Sequence, residues 1–353
     1  MITDLFLEKL CNLDGVSGYE SRLNESIIEA FRKYTEKIEI DKLGNIIAVK
    51  EGNVKVDDKK IKIMIAGHMD EIGLIITKIE DNGFLRFSNI GGIDPRTLLG
   101  QEVIVHGKED IFGVIGAKPP HLQEPSERDK AVKKEDMSID VGYEKEEVEK
   151  LISIGDYVTI RRSLNKLQGR SVTSKALDDR AGIATMYECA KELSKINHEA
   201  DVYFVSTVQE EVGTRGAITS TYNINPDIGI AIDVGFGSTP ELPKEETLEM
   251  GKGPGITIGG NIHPGLRDHI SKVGKEYNIP IQFEICPGPT GTDARSIQIT
   301  REGIPTLCIS IPLRYMHTSV EVINMTDIEN TAKLLAFFIG SISKDNLEGF
   351  LCY

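Results

Sequence analysis

The chain has 353 residues, 40% hydrophobic and 27% charged, enough to bury a large core in two domains or in one domain with a big insertion. Lys+Arg 41 against Asp+Glu 55 leave a net charge of −14, a field that repels nucleic acid and anionic membrane surfaces and argues against both as partners. Five cysteines without C-x-x-C spacing make neither a zinc finger nor a disulfide framework. The N-terminus MITDLFLEKL lacks a secretion-signal pattern, and no stretch approaches the ~20 apolar residues of a membrane span, so a cytoplasmic, reducing location is expected.

Leu5, Leu7, Leu10 and Leu13 fit a short amphipathic helix. Ser17-Gly-Tyr-Glu20 has the S-x-x-E form of a capping box and predicts a helix running to about Lys33. Strands are predicted over 37–40 and 45–49, then over 61–66, an isoleucine-rich run typical of a strand buried on both faces. From Glu71 to Gly169 the texture changes to short β-like runs, 74–79, 84–87, 102–105, 111–115 and 157–160, broken by Gly, Asn and Asp. A helical pattern interrupts them only over 144–153, so a small barrel or sandwich is expected. The polar, charge-dense stretch 118–140, with Pro119 and Pro120 in a row, reads as a long mobile loop. After Arg170 helices (181–194, 216–222, 264–277, 327–343) alternate with strands (201–208, 228–234, 281–285, 305–311). The fold class is therefore α/β, a mostly parallel sheet between helical layers. Residues 1–70 and 170–353 form one domain, and 71–169 is an inserted β-barrel.

His68-Met-Asp70 follows the strand over 61–66, and in open α/β sheets ligands bind outside the carboxyl ends of strands. Residues two apart in extended chain point the same way, so Asp70 can orient the imidazole of His68. Four later stretches share this character: Asp178-Asp179 before a helix, Glu210-Glu211 and Asp233 at strand ends, and His317 after a strand. Each alone reads as an N-cap, a surface ion pair or a polar loop residue. Together they converge on one crevice, and two His with three carboxylates suit a dinuclear zinc, cobalt or manganese site. Of the pair Glu210-Glu211, one carboxylate can ligate metal while the other acts as general base.

The motifs AGHMDEIG, SKALDDR, QEEVGTRGA, AIDVG and RYMHTS occur in that order. In them the chain resembles the dinuclear metallo-aminopeptidases of the tetrahedral type, the glutamyl or deblocking aminopeptidase family, over essentially its whole length. The resemblance implies a zinc-peptidase-like (phosphorylase/hydrolase-like) core holding two divalent ions, most readily Zn²⁺ or Co²⁺, with Mn²⁺ also suited. His68 and Asp233 would ligate one ion, Glu211 and His317 the other, and Asp178 would bridge both. Glu210 would be the general base, Asp70 the partner that orients His68, and the Asp178–Asp179 peptide cis. Peptides are the implied substrates. The inserted barrel would pair subunits into dimers that build a hollow dodecamer, and the loop over 118–140 would reach toward a neighbouring active site. The glycine-rich stretches 251–255 and 258–263 and the loop 287–294 would line the cleft, with Asp293 as a helix cap. His121 and His263 are further candidates for substrate contact.

Two other readings remain open. Paired carboxylates also serve glycoside hydrolysis, and similar proteins have been labelled cellulases. The absence of Trp and the 6% aromatic content fit a sugar cleft poorly. Alternatively, the cluster could be structural, in a non-catalytic metal-binding shell.

Overall fold

The computed structural model describes residues 3–54, 60–122, 124 and 130–351. Runs of isoleucine, valine and alanine make Lys62–His68, Asp201–Thr207, Ile228–Phe236 and Thr306–Arg314 strands that are buried along most of their length. Strands in the middle of a covered sheet have no solvent face. They run parallel, with Lys62–His68 between Asp201–Thr207 and Ile228–Phe236, and Thr306–Arg314 beyond the latter. On one flank Ile46–Lys50 and Lys37–Ile40 add antiparallel; on the other, Glu321–Asn324, Ser171–Ser174 and Asn165–Lys166 do the same. Gly255–Gly259 also pairs with Thr306–Arg314 and carries Gln282–Cys286 as an edge. The 11-stranded sheet thus has the parallel centre that the α/β alternation predicts and antiparallel margins that it does not. These margins are strands of two to five residues, too short to show a periodicity.

Helices cover both faces. Met64 accepts a hydrogen bond from Thr221 of the helix Arg215–Ile224, whereas Gly67, of opposite parity, meets the helix Leu177–Leu193. A Cβ on Gly67 would stand 3.0 Å from Asp179 Oδ2 and 3.3 Å from the carbonyl carbon of Gly182. Glycine at 67 therefore lets the helix bearing Asp178 lie directly on the strand bearing His68.

Six strands between Gly73 and Ile160 close into a barrel. Leu74, Leu85, Val103, Val105, Ile139 and Val158 fill its interior, a hydrophobic cluster separate from the main core. The helix expected over 144–153 is Lys145–Leu151. The expected loop over 118–140 is not all loop: Met137–Asp140 is a barrel strand that buries Met137 and Ile139, an alternation hidden by the charges before it. Residues 123 and 125–129 of that stretch lie outside the described residues. At the junction with the sheet, the buried Glu71 accepts hydrogen bonds from the Gly15 amide (2.9 Å), Lys175 (3.0 Å) and Arg180 (3.1 Å). Arg180 also donates to the carbonyls of Leu10, Leu13 and Met69.

The S-x-x-E pattern at Ser17 does not cap a helix. A short 3₁₀ turn, Glu20–Leu23, precedes the helix Asn24–Phe31, and neither has a side-chain cap bond. Ser17 Oγ instead donates to Asp70 Oδ2 at 2.5 Å, and Glu20 Oε1 accepts from the amides of Gly18 (2.7 Å) and Gln209 (3.1 Å). Long-range partners outcompete the local box.

Candidate active site

Register brings the expected residues to one edge of the sheet. His68 ends its strand opposite Thr207, after which the neighbouring chain turns through Gln209 in left-handed backbone (φ 56°) and presents Glu210 and Glu211. Asp233 is not at a strand end, as its sequence context suggests, but inside Ile228–Phe236, paired in register with Ser310. The strand runs on because its Val234-Gly-Phe236 continuation still pairs with Ile311–Leu313. Asp178 follows Ala176 (φ 56°) at the start of Leu177–Leu193, and the Asp178–Asp179 peptide is cis, as the resemblance implied. His317 lies in the turn after Thr306–Arg314, where Tyr315 (φ 61°) and His317 (φ 59°) are also left-handed.

Two groups of potential ligands result. One ligand atom from each of His68, Asp178 and Asp233 lies within 4.8 Å of the others, and the same holds for Asp178, Glu211 and His317. Asp178 belongs to both: its Oδ1 is 3.0 Å from His68 Nε2 and its Oδ2 3.3 Å from His317 Nε2, which is also 3.2 Å from Glu211 Oε1. Behind His68, Nδ1 is 3.1 Å from the Asp70 carbonyl oxygen and 3.5 Å from Asp70 Oδ1. The fully buried Asp70 carboxylate accepts from the amides of Glu210 (3.0 Å) and Glu211 (3.2 Å) as well as from Ser17.

The electrostatics of this cluster are unfavourable without cations. Burial pushes Glu210 up to about 10, with Asp233, Asp293 and Glu211 adding to it, and likewise holds Asp233 well above the usual carboxylate range. Burial opposes charge on His68, yet hydrogen bonds to Asp178 and Asp70 outweigh it and raise its pKa. Oxygen and imidazole donors packed this closely, several of them with their proton affinity raised, are a set that divalent ions relieve. The residues present fit two such ions.

A cleft of about 760 Å³ opens over the cluster, lined by His68, Asp178, Glu210, Glu211, Asp233 and His317. Pro287 and Thr290–Thr292 also line it, as expected for that loop. The glycine-rich stretches do not, since Gly251 and Gly253 instead donate their amides to Asp327, and neither His121 nor His263 is a lining residue. Asp293 stands at the N-cap of the helix Ala294–Gln298 as expected, but its side chain makes no cap bond; its Oδ2 accepts from Thr207 Oγ1 at 2.6 Å.

Three further residues support the site. Glu321 accepts the Asp178 amide on Oε2 (3.1 Å) and the His317 amide on Oε1 (2.9 Å), fixing both segments at once. Asp179 accepts the His68 amide (3.2 Å) and the Gly182 amide (3.0 Å). Ser17, which reads as a helix cap in the sequence, instead donates to the Asp70 carboxylate. The one signal for Glu321 is a carboxylate directly before the apolar pair Val322-Ile323 of the strand Glu321–Asn324.

Known proteins resemble this chain over most of its length. The family profile described as M42 glutamyl aminopeptidase matches residues 44–334. Lysyl aminopeptidase of Pyrococcus furiosus is 39% identical over 333 residues, 93% of this chain and 94% of that protein. The aminopeptidase APDkam598 of Desulfurococcus kamchatkensis superposes with a TM-score of 0.92 at 38% identity, covering 99% and 98% of the two chains. The Pyrococcus horikoshii TET1 peptidase, which can assemble into a tetrahedron or a large octahedral shell, superposes with a TM-score of 0.84 at 34% identity, over 96% and 100%. With the profile spanning most of the sheet and the whole barrel, the chain belongs to the M42 glutamyl aminopeptidase family.

Proposed function

We propose that the protein removes N-terminal residues from peptides with the help of two divalent cations and a glutamate base. The observation that carries this reading is the pair of ligand groups sharing Asp178 at the floor of an open cleft. His68 and Asp233 would hold one ion, Glu211 and His317 the other, and Asp178 both, with zinc, cobalt or manganese all suited to the donor set. Bound there, such ions polarise a scissile carbonyl and lower the pKa of a water molecule to roughly 7. The chain's own residues do the rest. The Asp70 carbonyl oxygen accepts a hydrogen bond from His68 Nδ1–H, which leaves Nε2 free as a ligand. Glu211 and Glu210 are spread by the Asp70 carboxylate, which holds both of their amides. Glu210, not needed in either ligand group, accepts a proton from the attacking water and passes it to the departing amine nitrogen.

We also propose that residues 71–169 are an inserted unit on the domain formed by 1–70 and 170–353, and that copies pair through it into dimers that build a dodecamer. Its separate hydrophobic cluster and the exposed Phe112 and Val114 on one barrel strand support this, as does shell assembly by the TET1 relative. Among the described residues no helix is long and apolar enough to cross a membrane, and the free thiols Cys11, Cys189, Cys286 and Cys308 support a reducing, cytoplasmic setting.

The test is release of N-terminal residues from aminoacyl-p-nitroanilides by protein stripped of metal, then restored with Zn²⁺, Co²⁺ or Mn²⁺. Release that depends on the metal is expected. Silence with every metal and substrate would overturn the reading and leave the metal-binding shell. Cellulose hydrolysis surviving chelation would establish the glycosidase instead, a poor fit to a cleft whose aromatic lining is Phe236 and Phe283.

A further inference from the structure

Beyond the ligand groups and Glu210, the cleft carries three more carboxylates, and its lining includes no lysine or arginine. Glu245 and Glu246 stand exposed at its rim. Glu284 is different. It sits half-buried on the edge strand Gln282–Cys286, and its Oε2 accepts from Ser310 Oγ at 2.6 Å. Ser310 is the register partner of Asp233, so the carboxylate is held on the strand next to the one that bears this candidate ion ligand. Glycine at 235 makes room for it: a Cβ there would lie 3.0 Å from Glu284 Oε1 and 2.9 Å from Leu248 Cδ1. Gly235 is two residues beyond Asp233, on the same strand face and about 6.6 Å along it. That step matches the reach of one long side chain from the reacting centre. Among the described residues no lysine or arginine pairs with Glu284, and burial raises its pKa, an effect that a cation beside it would reverse.

We infer that Glu284 selects the residue being removed, favouring lysine or arginine, whose apolar stem would lie along Leu248 and Cys308 with its charge at the Glu284 carboxylate. This rests on the aminopeptidase reading above. The cleft's remaining acidic groups act in the same direction, disfavouring an N-terminal Glu or Asp side chain.

The experiment compares kcat/KM for Lys-, Arg-, Met-, Leu- and Glu-p-nitroanilide in the metal-loaded wild type and in Glu284→Gln. Lysine should exceed methionine, its neutral counterpart of similar length, by about tenfold or more, and the variant should lower that ratio about ten- to a hundredfold. Turnover of Met and Leu substrates without a preference for Lys or Arg would overturn the inference alone, as would an unchanged ratio in the variant. Calorimetric binding of L-lysinamide against L-norleucinamide to the wild type reads the same selectivity without turnover, and needs no variant to fold. If no substrate is cleaved, the aminopeptidase reading fails, and this binding ratio still judges Glu284: equal affinities overturn its role.

Discussion

Replacing Asp70 with Asn keeps the shape of a fully buried side chain and changes one oxygen into a donor. Asp70 Oδ1 accepts the Glu210 amide at 3.0 Å, and Oδ2 accepts the Glu211 amide at 3.2 Å and Ser17 Oγ at 2.5 Å. In its better orientation Asn keeps its oxygen toward Glu210 and offers its NH₂ to Ser17, whose hydroxyl can turn and accept. The Glu211 amide then faces an NH₂ group and loses its acceptor, at a cost of about 1–3 kcal/mol. The negative charge 3.5 Å behind His68 Nδ1 is lost as well, which weakens the imidazole as a ligand. Asp70→Asn should therefore fold with a lower melting temperature and bind metal about 10–100-fold more weakly. Its kcat/KM should fall by a similar factor. Metal affinity is read by competition with a chromophoric chelator, and rates with the preferred p-nitroanilide. Ser17→Ala is the control: it removes one hydrogen bond, costs about 1 kcal/mol, and should shift metal affinity far less. If Asp70→Asn melts earlier yet binds metal and turns over within about threefold of wild type, Asp70 does not act through His68 and Glu210, and the reasoning fails.

Glu210→Gln should retain both ions while kcat falls about 10²–10⁴-fold; undiminished turnover would remove Glu210 as the base. Glu321→Gln sets an NH₂ group against the amide of either Asp178 or His317, so metal affinity and kcat should both drop about tenfold or more with the far-ultraviolet spectrum unchanged. In metal-free protein burial opposes charge on His317, but its bonds to Asp178 and Glu211 win and push it up to about 11, so near neutral pH it is protonated. An ion can be ligated only by the neutral ring, so uptake must expel that proton, and metal affinity should rise with pH by about tenfold per unit for each proton displaced. Calorimetric titration in two buffers of different ionisation enthalpy measures the release, and none at all would contradict the assigned ligand.

The centre of the fold was legible because its strands are continuous apolar runs, and the candidate ligand cluster was legible because polar residues follow such runs in a chemically coherent set. The supports were not. Ser17 and Glu20 satisfy a local helix-start pattern, and no local rule says that Asp70 and Gln209, far away in the chain, compete for them. Asp233 reads as a strand end because Gly235 follows so closely; inside the sheet it is tolerated because it faces the cleft. Glu321 does its work with two backbone amides, that of His317 four residues before it and that of Asp178 far away in the chain, and no local spacing encodes the second. Met137–Asp140 was lost in the charge that precedes it, since four residues carry too little alternation to outweigh a polar neighbourhood.

The salt-bridged Glu71 stands between the two halves of the molecule, one peptide bond from Asp70. Lys175, Arg180 and the Gly15 amide grip it from the sheet side, so the covalent path into the barrel is anchored before it leaves the site. A push on the barrel is met at this anchor rather than at His68. The barrel's own residues can thus be varied without moving His68 as long as Glu71 keeps these partners.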